Sequence, residues 1–311
     1  MLRAGVFGLG ALGRHHTRIL GDLPGVERIG VFDTREETAR AVAAEFGARL
    51  FPSFESLAAE IDLAGLATPT VSHADLGCGL LDRGVHLLVE KPIAASLAEA
   101  DRLIAAATAA GRVLQVGHVE FHTPAVAALL AAGGRPRFVE VERLGVFSPR
   151  SLDVDVILDL MIHDLHVLHA LDPAPVAEIR ATGIAVLSDR IDIASARVAL
   201  ESGLVANLTA SRVSAEKTRK LRAFFNDRYA SLDYQAQELK GFRLDRSNGE
   251  RRILPDDRAV ERAEPLRREL ECFVAACRGE ANRGVAGAEA RRALATALEV
   301  ARAAAGAAAP C

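Results

Sequence analysis

Residues 3–14, RAGVFGLGALGR, decide the fold. Ala4 to Phe7 is a short apolar run of strand type, and Gly8-Leu9-Gly10-Ala11-Leu12-Gly13 follows it directly and opens a helical pattern reaching about Leu20. Glycines at this spacing let the chain turn tightly and bring its backbone close to a pyrophosphate. The amino end of the helix then holds that group through its free N–H groups and its dipole. The next apolar run, Val26 to Phe32, ends at Asp33, twenty positions after Gly13. A carboxylate at this place takes the hydroxyls of an adenosine ribose and repels a 2′-phosphate, which favours NAD over NADP. Arg35 works the other way, because a guanidinium tolerates that phosphate. Asp33 also reads as a cap for the helix beginning near Arg35. Gly8, Gly10, Ala11, Leu12, Gly13 and Asp33 are the expected cofactor contacts.

Outward from this motif, apolar runs alternate with Ala-rich segments of helical period as far as Gly117. After Ala4 to Phe7 and Val26 to Phe32 come Ile61 to Ala67, Val85 to Val89 and Val113 to Val116; Glu36 to Phe46, Ser72 to Asp82 and Leu97 to Ala110 have the composition of crossover helices. This is the rhythm of βαβ units, and it predicts an α/β fold: a Rossmann-type, doubly wound parallel sheet over residues 1–118. After Pro124 the pattern changes to one helix, a strand near Arg137 to Phe147, a helix from Ile157 to Leu171 and then alternating strands to about Leu254. Two helices, Pro265 to Cys277 and Gly287 to Ala304, close the chain. Residues 119–311 are therefore expected to form an α+β domain on an open, mostly antiparallel sheet, the closing helices able to pack back on the first domain.

The chain has 311 residues, half of them hydrophobic, and a formal charge of −3, so it offers two cores but no basic field for a phosphate backbone. No nucleic acid partner is expected. The apolar start is interrupted by Gly5, Gly8 and Gly10, unlike a secretory signal, and no run approaches the length of a membrane span. The expectation is a cytoplasmic protein with no membrane partner. Cys78, Cys272, Cys277 and Cys311 are too scattered for a disulfide scaffold and read as reduced thiols.

Candidate chemistry lies at two places. The run Val85 to Val89 ends in Glu90-Lys91-Pro92, which sets Lys91 at the carboxyl end of a parallel strand, where such sheets bind ligands, and the proline stiffens it. Asp159 and His163 stand four residues apart on one helix, hence on one face. Removing a hydride from a carbinol also requires removing the hydroxyl proton. Histidine titrates near neutrality and suits that task, while a charged Lys91 stabilises the alkoxide. Asp164, His166 and His169 share the helix, but their spacing supplies no third metal ligand, so no metal is expected.

These residues resemble the glucose-fructose oxidoreductase, inositol dehydrogenase and MocA family. Gly8 to Gly13, Thr68-Pro69 with His73, Glu90-Lys91-Pro92, and Asp159 with His163 match its motifs in order over essentially the whole chain. The resemblance implies Lys91, Asp159 and His163 as the catalytic set and adds Thr68, Pro69, His73, Glu90 and Lys91 to the cofactor contacts. It also implies an NAD(P)-dependent dehydrogenase acting on CH–OH groups of a sugar or nucleotide sugar, and assembly as a homodimer or homotetramer through the second sheet. Arg143-Leu144-Gly145, the stretch DVDVILDLMIHD from Asp153 to Asp164, and Ala206 to Ser214 look like a nucleotide-sugar subgroup. Arg143, Arg150, Arg212 and Lys217 are cations available to a diphosphate. A free sugar or inositol is the rival substrate; a sensor without turnover is the rival class, and the intact Lys91, Asp159 and His163 argue against it. Two departures stand out: relatives commonly read Arg-Phe-Asn-Pro where this chain has Phe121-His122-Thr123-Pro124, and carry Asp where it has His166.

Overall fold

The computed structural model describes residues 1–148, 154–247 and 251–307. Arg150, Asp153 and Cys311 lie outside them. The chain divides into two compact units, Met1–Val119 with Glu264–Arg291, and Glu120–Ala263 with Arg292–Cys311.

In the first unit the strands are β1 (Leu2–Phe7), β2 (Val26–Phe32), β3 (Arg49–Leu50), β4 (Leu63–Leu66), β5 (His86–Glu90) and β6 (Leu114–Gly117). They lie in the order β3-β2-β1-β4-β5-β6, and every pair is parallel. Strands covered on both faces are apolar without alternation, which is why Ala4 to Phe7 and Leu63–Leu66 are buried residue for residue. The crossovers run through α1 (Ala11–Asp22), α2 (Glu36–Phe46), α3 (Phe54–Ala58), α4 (His73–Leu81) and α5 (Leu97–Ala110). Ser96 begins α5 by accepting from the Glu99 N–H, and Gly111 ends it in the left-handed conformation. The strand order turns back between β1 and β4, and the glycine loop after β1 opens at that switch point. Helix α8 (Pro265–Cys277) returns to this unit, where Leu270, Phe273 and Val274 pack with Ile19, Leu20 and Leu23 of the α1 region.

The second unit holds α6 (Pro124–Ala131), β7 (Phe138–Leu144), α7 (Ile162–Leu171), β8 (Val176–Ile184), β9 (Ile193–Leu200), β10 (Val205–Ser211), β11 (Thr218–Phe224), β12 (Arg228–Asp233), β13 (Glu238–Asp245) and β14 (Arg252–Pro255). Its sheet runs β14-β13-β12-β11-β7-β10-β9-β8. All its pairs are antiparallel except β7 with β10, which align Phe138 with Val205 and Leu144 with Ser211 in parallel. Alternation is clean in β7, where Val139, Val141 and Arg143 are buried and Glu140 and Glu142 are not. Such a strand has one face toward a core and one toward water. The chain closes in α9 (Gly287–Ala307), which begins in the first unit's residues and ends in the second's.

One expectation is corrected here. The helix from Ile157 to Leu171 is not uniform: Ile157–Met161 is a π-helical turn, and the α-helix begins at Ile162. The Asp155 carboxylate accepts from the N–H groups of Ile157 and Leu158 at 3.0 and 2.8 Å and anchors the widened turn. Such turns sit disproportionately at functional positions. Asp159 lies within it and His163 just beyond.

Candidate active site

In the first unit the glycine loop is built to leave backbone exposed. Gly8 has a φ of +81°, and a Cβ there would meet the Ala67 carbonyl at 2.6 Å. A Cβ on Gly13 would lie 1.8 Å from the Gly8 carbonyl oxygen, so the first turn of α1 can pack on the loop only as glycine. Gly10 differs: a Cβ there meets nothing within 4 Å, so it faces open space. As the N-cap of α1 it has no side-chain cap, no acid occupies the first turn, and Ala11 and Leu12 stand exposed beside it. A bare helix amino end next to an open glycine is the arrangement a pyrophosphate fits.

Asp33 follows β2 and is pinned. Its Oδ2 accepts from the Leu9 N–H at 2.7 Å and its Oδ1 from the Arg35 N–H at 2.8 Å, while the exposed Arg35 guanidinium reaches the same Oδ1 at 3.5 Å. The carboxylate thus ties the glycine loop to Arg35, the N-cap of α2, which has no side-chain cap of its own.

On the other side of the switch point, Thr68 lies over Gly8, its methyl group 2.9 Å from where a Cβ would stand, and accepts from the Ser72 hydroxyl. Pro69 precedes a single 3-10 turn, Thr70–Ser72. His73 is buried, its Nδ1 at 3.0 Å from the Pro92 carbonyl and its Nε2 at 2.9 Å from that of Thr68. Burial pushes its pKa below the usual histidine value, against the two carbonyls. The ring therefore bolts the Thr68 loop to the segment behind Lys91. The Lys91–Pro92 peptide is cis, and Lys91 stands half-buried at the carboxyl end of β5. Glu90 points inward, its Oε1 at 2.9 Å from Nε2 of His16, a buried α1 residue that the sequence reading passed over. Among the described residues, His16, Glu90 and Glu269 are the His, Cys, Asp or Glu side chains close enough together to hold a cation; the α7 histidines are not such a group.

In the second unit α7 is buried nearly throughout, with His163, Asp164, His166 and His169 among its enclosed residues. Asp164 pairs bidentately with Arg143 of β7, at 2.6 and 2.8 Å, and Arg143 also donates to Glu120 at 2.8 Å. Burial opposes the guanidinium charge, but the two carboxylates outweigh it and hold Arg143 ionised. Tyr234 lies under the guanidinium at 4.9 Å. The two departures from the family pattern meet: the Phe121 and His166 rings stand edge to face, 4.8 Å apart. Burial, with His169 and His122 nearby, pushes the His166 pKa down to about 3. His169, bonded to the Thr296 hydroxyl at 2.8 Å, is pushed down to about 4 by burial and then by Arg292.

Asp159 lines a cavity of about 310 Å³ together with Arg143, Arg212, Lys217 and Arg219. Of the cations expected to be available to a diphosphate, two are already engaged. Arg143 is held as described, and Arg212 donates to Asp192 at 2.7 Å and to the Val154 carbonyl at 2.9 Å. Lys217 is exposed on the cavity rim. Arg219, which the sequence reading did not single out, is one-third exposed while donating to Glu120 at 2.7 Å. A cavity in the first unit, at Arg3, Val26, Glu27 and Ile61, lies at the amino ends of its strands, away from the ligand-binding edge of a parallel sheet.

The parallel sheet, the bare helix end at its switch point and the carboxylate after β2 define a dinucleotide-dependent oxidoreductase. Residues 2–118 match the model of the oxidoreductase family with the NAD-binding Rossmann fold, Gfo/Idh/MocA. The chain is 43% identical over 307 residues, 96% of either chain, to the UDP-N-acetylglucosamine 3-dehydrogenase of Acidithiobacillus ferrooxidans. The solved structure of that enzyme superposes with a TM-score of 0.90, covering 97% of each chain at 39% identity. The scyllo-inositol 2-dehydrogenase of Bacillus subtilis is 27% identical over 68% of either chain. A levoglucosan dehydrogenase in complex with NADH shares the fold, with a TM-score of 0.86 at 17% identity over 98% of this chain and 97% of that one. The chain belongs to the Gfo/Idh/MocA oxidoreductase family.

Proposed function

We propose that this protein is an NAD-dependent dehydrogenase that oxidises the 3-hydroxyl of UDP-N-acetylglucosamine to the 3-keto sugar. The observation that carries the substrate is the 43% identity to an enzyme of that activity over 96% of both chains, where the inositol dehydrogenase match reaches 68%. Gly8, Gly10, Gly13 and the α1 amino end hold the pyrophosphate, and Asp33 takes the adenosine ribose. Bound NAD supplies the hydride acceptor. His163 takes the hydroxyl proton as the hydride leaves the same carbon, Asp159 orients His163 or the sugar, and the Lys91 ammonium stabilises the developing alkoxide. Lys217 and Arg219, on the wall that Asp159 shares, receive the diphosphate. The assembly is a homodimer or homotetramer, a reading supported by the exposed Phe242 and Ile253 on β13 and β14; light scattering after gel filtration tests it.

The deciding experiment follows NADH formation on UDP-N-acetylglucosamine, N-acetylglucosamine, glucose and myo-inositol, with the keto product trapped and its position read by NMR. Turnover confined to the nucleotide sugar is expected. Faster oxidation of inositol or of the free sugar would overturn the substrate reading.

A further inference from the structure

Behind Lys91 lies a buried acid–base cluster to which the proposed chemistry gives no task. His16 comes from α1, Glu90 from the end of β5 and Glu269 from α8, and the nearest ligand atoms of all three lie within 4.8 Å of one another. They are 0%, 6% and 1% exposed. The fold makes room for them with two glycines on the strands flanking β5. A Cβ on Gly65 of β4 would lie 3.0 Å from Nδ1 of His16, and one on Gly117 of β6 would lie 2.7 Å from Oε2 of Glu90. Two carboxyl groups this close in a dry interior do not both stay ionised, because neither desolvation nor their mutual repulsion is met by bulk water.

We propose that His16, Glu90 and Glu269 act as one buried unit in which Glu269 is carried as the neutral acid, and that this unit positions Lys91. His16 Nε2 at 2.9 Å and the backbone at Gly117 confine the Glu90 side chain, and the Glu90–Lys91 peptide carries that constraint directly to the lysine backbone. Glu269 is the member that gives up its charge: burial, reinforced by Glu90, pushes its carboxyl well above the usual range. His16 from α1 and Glu90 from β5 both face it. The charges on the outer side, Arg18 with Glu264 and Arg267 with Asp22, are spent on each other near the surface. The positioning role rests on Lys91 taking part in the chemistry; the protonation state of Glu269 does not.

The sign of the pH effect follows from linkage. The unfolded chain releases the Glu269 proton near pH ~4.3, the ordinary glutamate value, while the folded chain keeps it, so this group costs stability as pH rises. Glu269→Gln keeps the shape of the neutral acid without a proton to lose. Its Tm is expected to gain on that of the unaltered protein as pH rises from about 5 to 8, by several degrees at the upper end. At neutral pH the infrared C=O band of a protonated carboxylic acid, present in the unaltered protein, is expected to vanish in Glu269→Gln. Glu269→Ala is expected to lower kcat by roughly tenfold or more with KM and NADH affinity within about threefold, and Glu269→Gln to restore most of that loss.

A Tm difference independent of pH, or no protonated-acid band, overturns the neutral-acid assignment. Stoichiometric divalent metal in the purified protein, lost in Glu269→Gln, makes the three a metal site instead. Loss confined to KM, or no rescue by Gln, overturns the positioning role. If Glu269→Ala fails to fold, the Tm and infrared measurements on Glu269→Gln decide. Those measurements use no substrate, so a failure of the nucleotide-sugar reading registers separately in the turnover panel.

Discussion

At the scale of single residues, Asp33 carries two tasks on one carboxylate. It accepts from the Leu9 and Arg35 N–H groups and so fixes the glycine loop, and on the proposed reading its charge opposes a 2′-phosphate. Asp33→Ser is therefore expected to weaken both cofactors somewhat, and the informative quantity is their ratio: the unaltered protein should bind NAD more tightly than NADP, and the variant should lose most of that preference. Fluorescence titration of both reduced cofactors measures it, and equal affinities in the unaltered protein would reject the Asp33 argument. Lys91 makes a different prediction. Lys91→Met keeps the bulk and removes the charge, so turnover should fall by roughly 100-fold or more while NADH affinity changes far less. Normal turnover would return Lys91 to an ordinary surface role.

The element that decides most is the segment from the π turn at Ile157–Met161 through α7. With His163 as the base, kcat/KM for oxidation should rise with pH as the imidazole becomes neutral, and His163→Ala should flatten that limb and cut the rate by roughly 100- to 10,000-fold. A pH profile on the nucleotide sugar checks it; an unchanged limb moves the base elsewhere. The same helix predicts an acid sensitivity. His166 and His169 are kept neutral by burial, with values pushed down to about 3 and about 4. Between pH ~6.5 and those values the unfolded chain takes up protons that the folded chain refuses, so stability falls as pH falls through this window. His169→Gln should remove one such contribution, about 2 kcal/mol of it between pH 7 and pH 5 with the folded value at about 4. Urea unfolding at pH 7 and pH 5 measures it, and a pH-independent difference between the two proteins would refute the assignment.

Over the whole molecule the chain does not divide at a single point. Glu264–Arg291 belongs to the first unit although some 145 residues separate it from Val119, and Leu270, Phe273 and Val274 complete a core otherwise made by the first residues of the chain. Each such side chain contributes roughly 1.5–3 kcal/mol when fully buried. A fragment of residues 1–119 is accordingly expected to show no cooperative thermal transition and no NADH binding, and addition of a peptide spanning 264–291 to restore part of both. A stable, NADH-binding 1–119 fragment would show that α8 is dispensable.

Local physics made the first sheet readable: buried parallel strands are apolar runs, a glycine turn needs its glycines wherever it occurs, and a carboxylate twenty positions on has one place to go. The Asp33 position, the Lys91 strand end and the two closing helices were legible for that reason. The second sheet was legible in class but not in order, because alternation reports which face is wet and not which strand lies alongside; the parallel β7–β10 pair comes from the long connection through α7. The π turn left no signal, since the sequence spacing of Asp159 and His163 is the same whether the turn that holds Asp159 is α or π. Charge pairing was also beyond the sequence. Arg143 and Arg212 look like Lys217 in one dimension, yet buried carboxylates 21 and 20 residues away engage the first two. Tertiary structure alone set His16, Glu90 and Glu269 side by side, because their contact depends on helices docking on a sheet across more than 170 residues of chain, a distance at which sequence spacing carries no information.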